Sequence, residues 1–422
     1  MWQNNFSLII KTTTVQLRDY QKQIAEQGIE TLRNFNIVYL AMQVRTGKTI
    51  TSLEICKLYG AKKVLFVTKL KAISSIYKDF EAINKPFDLY VTNYEGLHKV
   101  VEDFDLIVLD EAHSLGQYPK PSNRVNELKR LCKSKPIIYL SGTPTPESYS
   151  QFYHQFYVST WSPFAEYKKF YDWHKVFGVP ALKFIYNRQI NDYSKTKKEL
   201  IMERIEHLII SYTQEEAGFK CEVEEIFCKI PMSEKIKASI KLLKKNKIFK
   251  TKDGNVILAD TAVKEMQKIH QICSGTVKDE EGNAIVFDTS KVDFIKANFE
   301  GKKIAIFYKY IAEGTALKWE FANRIVDDPI AFNKAGNDAI FISQIQSGRE
   351  GINLSTADCL IMYNIDFAAL SYWQGRARLQ TLNRTESAKL YWLFTDGGIE
   401  EKIYKVVEGK KDFTLSHFKK IF

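Results

Sequence analysis

The stretch IVYLAMQVRTGKT, residues 37–49, decides the fold class of this chain. Its first half is a short apolar run rich in Val, Ile and Leu, which is typical of buried parallel strands. Its second half ends in Gly47-Lys48-Thr49, and a helix-like segment, TSLEICKLYG, follows at residues 51–60. A turn between a strand and a helix N-terminus presents free backbone N–H groups to anions. The stretch therefore predicts an α/β fold with a phosphate-binding turn.

Each residue of the Gly-Lys-Thr turn suits a nucleoside triphosphate. Gly47 permits close backbone approach, Lys48 can neutralise the β and γ phosphates, and Thr49 can place its hydroxyl on a magnesium ion. The first glycine of the general P-loop pattern is absent, because Met42 stands there. A chance turn before a helix is the alternative interpretation, and the strand and helix on either side argue against it.

A second chemical signal follows the apolar run Leu106–Leu109, where the sequence reads Asp110-Glu111-Ala112-His113. Acidic residues at the carboxyl end of a parallel strand lie at the edge where α/β sheets bind ligands. We expect Asp110 to hold Mg²⁺ and Glu111 to polarise the attacking water as general base. An acidic helix N-cap is the alternative. Two such motifs, each directly after a strand, favour ATP binding and hydrolysis.

Apolar runs divide the chain into three parts. The candidate strands are Ile37–Ala41, Val64–Val67, Leu89–Thr92, Leu106–Leu109 and Ile137–Leu140 in the first part, and Ile304–Phe307, Arg324–Val326, Ala339–Ile342, Cys359–Met362 and Leu390–Phe394 in the last. We predict two RecA-like, doubly wound parallel-sheet lobes over residues 1–150 and 291–422. Residues 151–290 are predicted to form a mostly helical insertion, with a hairpin turn at Asp253-Gly254.

Composition limits the partners of the chain. Its formal net charge is +11, which favours a polyanionic partner, although a basic surface that only aids solubility is the alternative. The six cysteines form no CxxC pair, so a zinc ribbon is not expected, and dispersed cysteines suit a reducing cytoplasm. No apolar run approaches the roughly 20 residues of a membrane span. We expect a cytoplasmic protein without a membrane partner; the oligomeric state stays open and a monomer is compatible with the sequence.

Together the motifs resemble those of superfamily 2 helicases and translocases. The RTGKT and DEAH segments match two hallmark motifs of that superfamily, and further segments resemble its Swi/Snf-type branch. These segments are LRDYQ at residues 17–21, VTK at 67–69, VTNYE at 91–95, SGTP at 141–144 and GREGINL at 348–354. The compact form is similar to that of DNA helicases encoded by bacteriophages, which would place the protein in the cytoplasm of a bacterial host.

The resemblance implies an ATP- and Mg²⁺-dependent motor on nucleic acid, with DNA favoured over RNA. It implies nucleotide contacts from Gln21 and Gly351, nucleic-acid contacts from Thr68, Lys69, Asn93 and Gly348, and coupling roles for His113, Ser141, Thr143 and Gln374. The ATP site would lie between the lobes, so hydrolysis would require them to close. The alternatives are an RNA helicase and a binding module that has lost catalysis. Such a module would be expected to lack Lys48 or Glu111, and both are present.

The last motif departs from the pattern of the branch, because its arginines, Arg376 and Arg378, are two positions apart rather than three. A helix turns about 100° per residue, so both side chains cannot easily reach one phosphate. Arg376 keeps the local Gly-Arg-Ala order of the motif, and Arg378 keeps the four-residue distance from Gln374. We favour Arg378 for the γ-phosphate contact, with Arg376 holding the motif in place.

Aromatic residues crowd the segment from Phe152 to Trp173, beside several lysines. Stacking on bases is one interpretation, but a helix core is favoured. The segment Ile269–Ser274 resembles a packing segment of the same branch, and Cys273 within it is expected to be a small buried apolar residue.

Overall fold

The structure is a computed structural model that describes residues 16–185, 188–218, 223–251, 253–348, 354–376 and 387–409. The chain forms two compact units, Met1–Ala217 and Gly218–Phe422. We call them the N-terminal lobe and the C-terminal lobe.

The N-terminal lobe is organised around a six-stranded sheet. The strands of this sheet are β1 (Ile37–Met42), β2 (Lys63–Thr68), β3 (Asp88–Asn93), β4 (Leu106–Leu109), β5 (Ile137–Leu140) and β8 (Ile209–Tyr212). The lobe also contains a separate antiparallel hairpin of β6 (Leu182–Ile185) and β7 (Arg188–Asn191). The sheet order is β3-β2-β4-β5-β1-β8, and every pairing in it is parallel. The central strands are buried on both faces, as their unbroken apolar composition requires.

Helices cover this sheet. They are α1 (Asp19–Phe35), α2 (Lys48–Tyr59), α3 (Ile73–Ala82), α4 (Asn123–Leu131), α5 (Gln151–Tyr157), α6 (Phe170–Phe177) and α7 (Lys198–Ile205). Two of them, α5 and α6, carry the aromatic cluster, in which Phe156 and Trp173 are fully buried. Phe156 packs on Tyr39 and Tyr139 of the sheet, with ring centroids 6.0 and 5.5 Å away. The predicted helix core is therefore confirmed.

The C-terminal lobe has a five-stranded parallel sheet and two antiparallel hairpins. Its strands are β9 (Val223–Ile230), β10 (Ile248–Lys250), β11 (Val256–Leu258), β12 (Thr276–Lys278), β13 (Ala284–Val286), β14 (Ile304–Tyr308), β15 (Ile340–Gln344), β16 (Cys359–Met362) and β17 (Ala388–Thr395). The sheet order is β15-β14-β16-β17-β9. The predicted turn at Asp253-Gly254 joins β10 to β11, and Gly254 takes a left-handed φ of 86° there.

The helices of the C-terminal lobe alternate with its strands. They are α8 (Glu234–Asn246), α9 (Ala262–Cys273), α10 (Ser290–Asn298), α11 (Ile311–Phe321), α12 (Pro329–Lys334), α13 (Ile345–Gly348), α14 (Ala369–Arg376) and α15 (Glu400–Glu408). Cys273, at the end of α9, is 1% exposed and belongs to the apolar core, as predicted. The two parallel sheets with helices confirm the predicted fold class.

Two sequence predictions differ from the structure. Arg324–Val326 is not a strand: residues 322–324 form a 3₁₀ turn, and Ile325 makes only an isolated bridge to Ile340. The predicted insertion at residues 151–290 is divided between the lobes, because β8 completes the first sheet and β9 the second. Both strands lie at sheet edges, where the unbroken apolar run that marks a central strand is not required.

Candidate active site

The turn between β1 and α2, residues 42–49, has the backbone of a phosphate-binding loop, and we call it the phosphate loop. Arg45 and Gly47 adopt left-handed φ values of 67° and 86°, and the Thr46 hydroxyl donates to Gln43 O at 2.8 Å. A Cβ atom at position 47 would lie 2.1 Å from Gln21 Nε2. The site therefore requires glycine for its conformation and for its space.

The beginning of α1 lies against this loop. The Gln21 side chain donates from Nε2 to Thr46 O at 3.2 Å and accepts from Arg18 N at 2.9 Å. The Tyr20 hydroxyl donates to the same Thr46 carbonyl at 3.0 Å, and its ring stacks on Tyr212 with centroids 4.6 Å apart. Gln21, for which the resemblance implies a nucleotide contact, is thus in direct contact with the phosphate loop.

A third contact to the loop comes from the segment after β8. Gln214 N donates to Gln43 Oε1, and Gln214 Nε2 donates to Val44 O, both at 2.9 Å. The backbone N–H of Gln43 donates to Tyr212 O at 2.9 Å. The motifs gave no signal for this contact, because Gln214 lies about 170 positions away along the chain and β8 was not predicted.

The acidic turn, Asp110–His113, begins where β4 ends. Both carboxylate oxygens of Asp110 accept hydrogen bonds, one from the Thr68 hydroxyl at 2.7 Å and one from Glu111 N at 3.0 Å. The Tyr94 hydroxyl donates to the Asp110 carbonyl at 2.5 Å. Asp110 is therefore held in one orientation by three neighbours from three segments.

Electrostatics at Asp110 suit a cation site. Burial and the adjacent Glu111 carboxylate raise the pKa of Asp110, while the Lys48 ammonium and the Thr68 hydroxyl oppose that rise. A carboxylate whose charge is costly in this way gains from a bound cation. The Asp110 carboxylate and the Thr49 hydroxyl are oxygen donors, which Mg²⁺ prefers, and Mg²⁺ usually takes one or two carboxylates together with substrate phosphates. The residues present fit this ion.

Thr68 was expected to contact nucleic acid, but its side chain is buried and its hydroxyl is directed at Asp110. Lys69 follows it and is partly exposed. The side chain of Asn93 accepts from Gly96 N at 2.7 Å and so caps the 3₁₀ turn at residues 94–99. The Thr68 side chain thus belongs to the Asp110 environment.

The acidic turn is connected to the turn after β5, Ser141–Pro144, which we call the coupling turn. His113 Nδ1 lies 3.0 Å from Ser141 Oγ and 3.3 Å from Glu111 Oε2. Ser141 Oγ also accepts from Thr143 N at 3.2 Å. Glu111 has a left-handed φ of 50°, a conformation that is uncommon for a residue with a side chain. His113, Ser141 and Thr143, three of the four residues for which the resemblance implies a coupling role, are therefore in contact.

Sequence reasoning missed the support beneath the coupling turn. Gln155 of α5 accepts from the Tyr39 hydroxyl at 2.7 Å and donates to Pro144 O at 2.8 Å. It is fully buried, so it fixes the turn to β1. A glutamine inside an aromatic run offers one weak signal, since a buried amide needs polar partners.

The predicted residues of the C-terminal lobe are only partly described. Gly348 ends α13, and the backbone of Gln374 lies in α14. Gly351 and Arg378 lie outside the described residues. Arg376, at the end of α14, donates from Nε to Glu225 Oε1 of β9 at 2.7 Å.

Two absences concern only the described part of the chain. It contains no helix long and apolar enough to cross a membrane. Within the same residues, no group of three or more His, Cys, Asp or Glu side chains is arranged to hold a metal ion.

The part of the chain that forms this site is similar in sequence to known proteins. The family model of the res subunit of type III restriction enzymes matches residues 14–146, a range that contains the phosphate loop, the acidic turn and the coupling turn. The CHD3-type chromatin-remodeling factor CHR7 of Arabidopsis thaliana is 21% identical over 362 residues, which cover 78% of this chain and 29% of the relative. Residues 14–146 are thus similar to the res subunit of type III restriction enzymes, and most of the chain is similar to a chromatin-remodeling factor.

Two further similarities show how much of each relative the chain covers. Chromodomain-helicase-DNA-binding protein 1 of Homo sapiens is 27% identical over 139 residues, covering 33% of this chain and 8% of the relative. The chain thus spans less than a third of the length of these curated relatives. Among solved structures, the Sulfolobus solfataricus SWI2/SNF2 ATPase core in complex with dsDNA gives a TM-score of 0.43 at 18% identity, covering 97% of this chain and 94% of that chain.

Proposed function

We propose that this chain is a member of helicase superfamily 2 and an ATP-driven motor that moves along DNA. The observation that carries the proposal is the convergence of three turns on one edge of one parallel sheet. The phosphate loop follows β1, the acidic turn follows β4 and the coupling turn follows β5. Ligands bind at the carboxyl ends of the strands in such sheets.

Each residue at this edge has a defined part in ATP hydrolysis. Lys48 and the backbone N–H groups at the start of α2 bind the phosphates. Asp110 and Thr49 would hold Mg²⁺, which would neutralise charge on the β and γ phosphates. Glu111 orients a water molecule and accepts its proton. An arginine of the last motif, Arg378 or Arg376, supplies positive charge as the γ-phosphate leaves.

The position of His113 Nδ1, within 3.0 Å of Ser141 Oγ and 3.3 Å of Glu111 Oε2, supports a coupling role. A change in the position of Glu111 on hydrolysis would be passed to Ser141 and then to the Thr143 backbone. Tyr94 provides a second connection, since its hydroxyl bonds to the Asp110 carbonyl. It lies next to Asn93, a residue that the motif resemblance assigns to nucleic acid. We propose that these two connections relate the ATP state to the grip on the backbone.

The preference for DNA rests on charge and on relatives. The net charge of +11 favours a polyanion, and the names of the relatives include chromatin remodelling and DNA binding. We propose membership of the Swi/Snf-type branch on the same grounds. The bacteriophage resemblance and a cytoplasmic location stay predictions, and fractionation of the source cells would test the location.

The direct test is ATP hydrolysis with different nucleic acids. We expect the purified protein with Mg²⁺ to hydrolyse ATP faster when duplex, forked or single-stranded DNA is added, with less stimulation by RNA of equal length. Lys48→Ala serves as the control for contaminating ATPases, because it removes the charge that holds the phosphates. Equal rates with and without every nucleic acid would defeat the motor proposal, and stronger stimulation by RNA would favour an RNA helicase.

A further test concerns the Thr68 hydroxyl. Thr68→Val keeps the shape but removes the donor to Asp110. Losing a hydrogen bond to a charged group costs about 1.5–3 kcal/mol, so we expect roughly a tenfold fall in turnover and a higher Mg²⁺ requirement. Thr68→Ser is the matched control, since it keeps the hydroxyl, and should stay near the wild-type rate. If valine and serine behave alike in a Mg²⁺ titration, the hydroxyl does not orient Asp110.

A further inference from the structure

Glu225 is the centre of a polar cluster in the C-terminal lobe that no motif accounts for. It lies on the edge strand β9, and its side chain is 13% exposed. Four side chains donate hydrogen bonds to its carboxylate. They are Tyr372 at 3.0 Å, Arg376 at 2.7 Å, Trp392 at 2.8 Å and Tyr404 at 3.1 Å.

The donors come from three different elements. Tyr372 and Arg376 belong to α14, Trp392 to β17 and Tyr404 to α15. The rings of Tyr372 and Trp392 are stacked, with centroids 5.5 Å apart and planes at 18°. One carboxylate therefore joins α14 to the strand and helix beneath it, and a bidentate acceptor of this kind restricts orientation as well as position.

The end of α14 is also packed closely against the sheet. A Cβ atom at Gly375 would lie 2.7 Å from Cε of Met362 at the end of β16. A side chain at position 375 would displace the end of Met362, and Glu225 holds the next residue, Arg376. The Arg376–Glu225 pair therefore fixes the last turn of α14.

We infer that Glu225 is a positioning residue for the arginine motif and acts through Arg376. This inference rests on the proposed ATPase function and adds to it a group outside the motifs. Its carboxylate sets the direction of the last turn of α14 and of the Arg376 side chain. A misplacement of about 1 Å caused from a distance can cost about 100-fold in rate. We expect a change in kcat rather than in substrate binding.

Glu225→Gln tests this role. An amide at this site turns one acceptor into a donor, which opposes either the Trp392 N–H or the Arg376 Nε–H, and neither of these groups can accept. We expect the maximal DNA-stimulated kcat to fall about 10- to 100-fold, with KM for ATP and Kd for duplex DNA within twofold of wild type. Glu224→Gln is the matched control, because Glu224 is the exposed neighbour on the same strand, and it should retain wild-type kcat.

A double-mutant cycle separates positioning from general stability. If Glu225 acts through Arg376, then Glu225→Gln added to Arg376→Ala should lower kcat no further than Arg376→Ala alone. Glu225→Asp keeps the charge on a shorter side chain, so it should recover part of the kcat. The same variant replaces Glu225→Gln in the test if thermal melting shows that the amide variant folds poorly.

Three outcomes would overturn the inference. If the fold losses in kcat of the two single variants multiply in the double variant, Glu225 acts independently of Arg376. An unchanged kcat in Glu225→Gln, beside an active wild type and an active Glu224→Gln, would remove Glu225 alone and leave the motor proposal intact. A wild-type protein without nucleic-acid-stimulated hydrolysis would instead remove the motor proposal, together with the inference that rests on it.

Discussion

Replacing Glu111 by glutamine should lower ATP turnover at least about 100-fold, because general-base catalysis contributes about 10²–10⁴ in rate. Glutamine keeps the shape of the side chain, and the backbone bond from residue 111 to Asp110 Oδ1 remains. ATP binding should therefore stay nearly intact. The measurement is single-turnover hydrolysis with saturating DNA, beside equilibrium binding of a fluorescent ATP analogue.

Glu102→Gln is the matched control for this experiment. Glu102 is exposed before β4 and pairs with Lys63 on the surface, so its loss should leave turnover unchanged. A Glu111→Gln protein that hydrolyses ATP at the normal rate would remove Glu111 from the chemistry. Loss of ATP binding in the same variant would instead show that Glu111 shapes the phosphate loop.

Central strands were predictable because their physical requirement is visible in the sequence. A strand buried on both faces needs an unbroken apolar run, and the predicted Leu106–Leu109 and Cys359–Met362 match β4 and β16 residue for residue. Edge strands carry no such requirement. β9 reads VEEIFCKI, with Glu224 and Lys229 exposed, and it was not predicted.

The candidate site divides in a similar way. Residues whose type is dictated by their chemistry, such as Lys48 and Asp110, stand at the turns where motif and strand pattern put them. The residues that hold them in place could not be found from the sequence. Gln155 and Glu225 act across 116 and 151 positions of sequence, and only the fold brings each to its partner. The sequence gives the position of Thr68 at the end of a strand, but the motif does not specify the direction of its hydroxyl.

The two arginines of the last motif should give unequal defects when each is replaced by alanine. Losing the arginine that contacts the γ-phosphate should cost at least about 10³ in turnover, because such a group contributes about 10³–10⁵. DNA binding should change little, since the contact is made to ATP. The measurement is kcat with saturating DNA for Arg376→Ala and Arg378→Ala, with Kd for duplex DNA and thermal melting recorded for each.

We expect Arg378→Ala to show the larger loss of turnover. Arg376 donates from Nε to Glu225 Oε1 at 2.7 Å. A residue that holds the motif in place would make this kind of contact. Its replacement leaves a partly buried carboxylate short of one donor, a change that destabilises a folded protein. Arg376→Ala should therefore lower the melting temperature more than Arg378→Ala does. A larger turnover loss from Arg376→Ala would reverse the two roles, and equal, small losses from both would point to another arginine, such as Arg349.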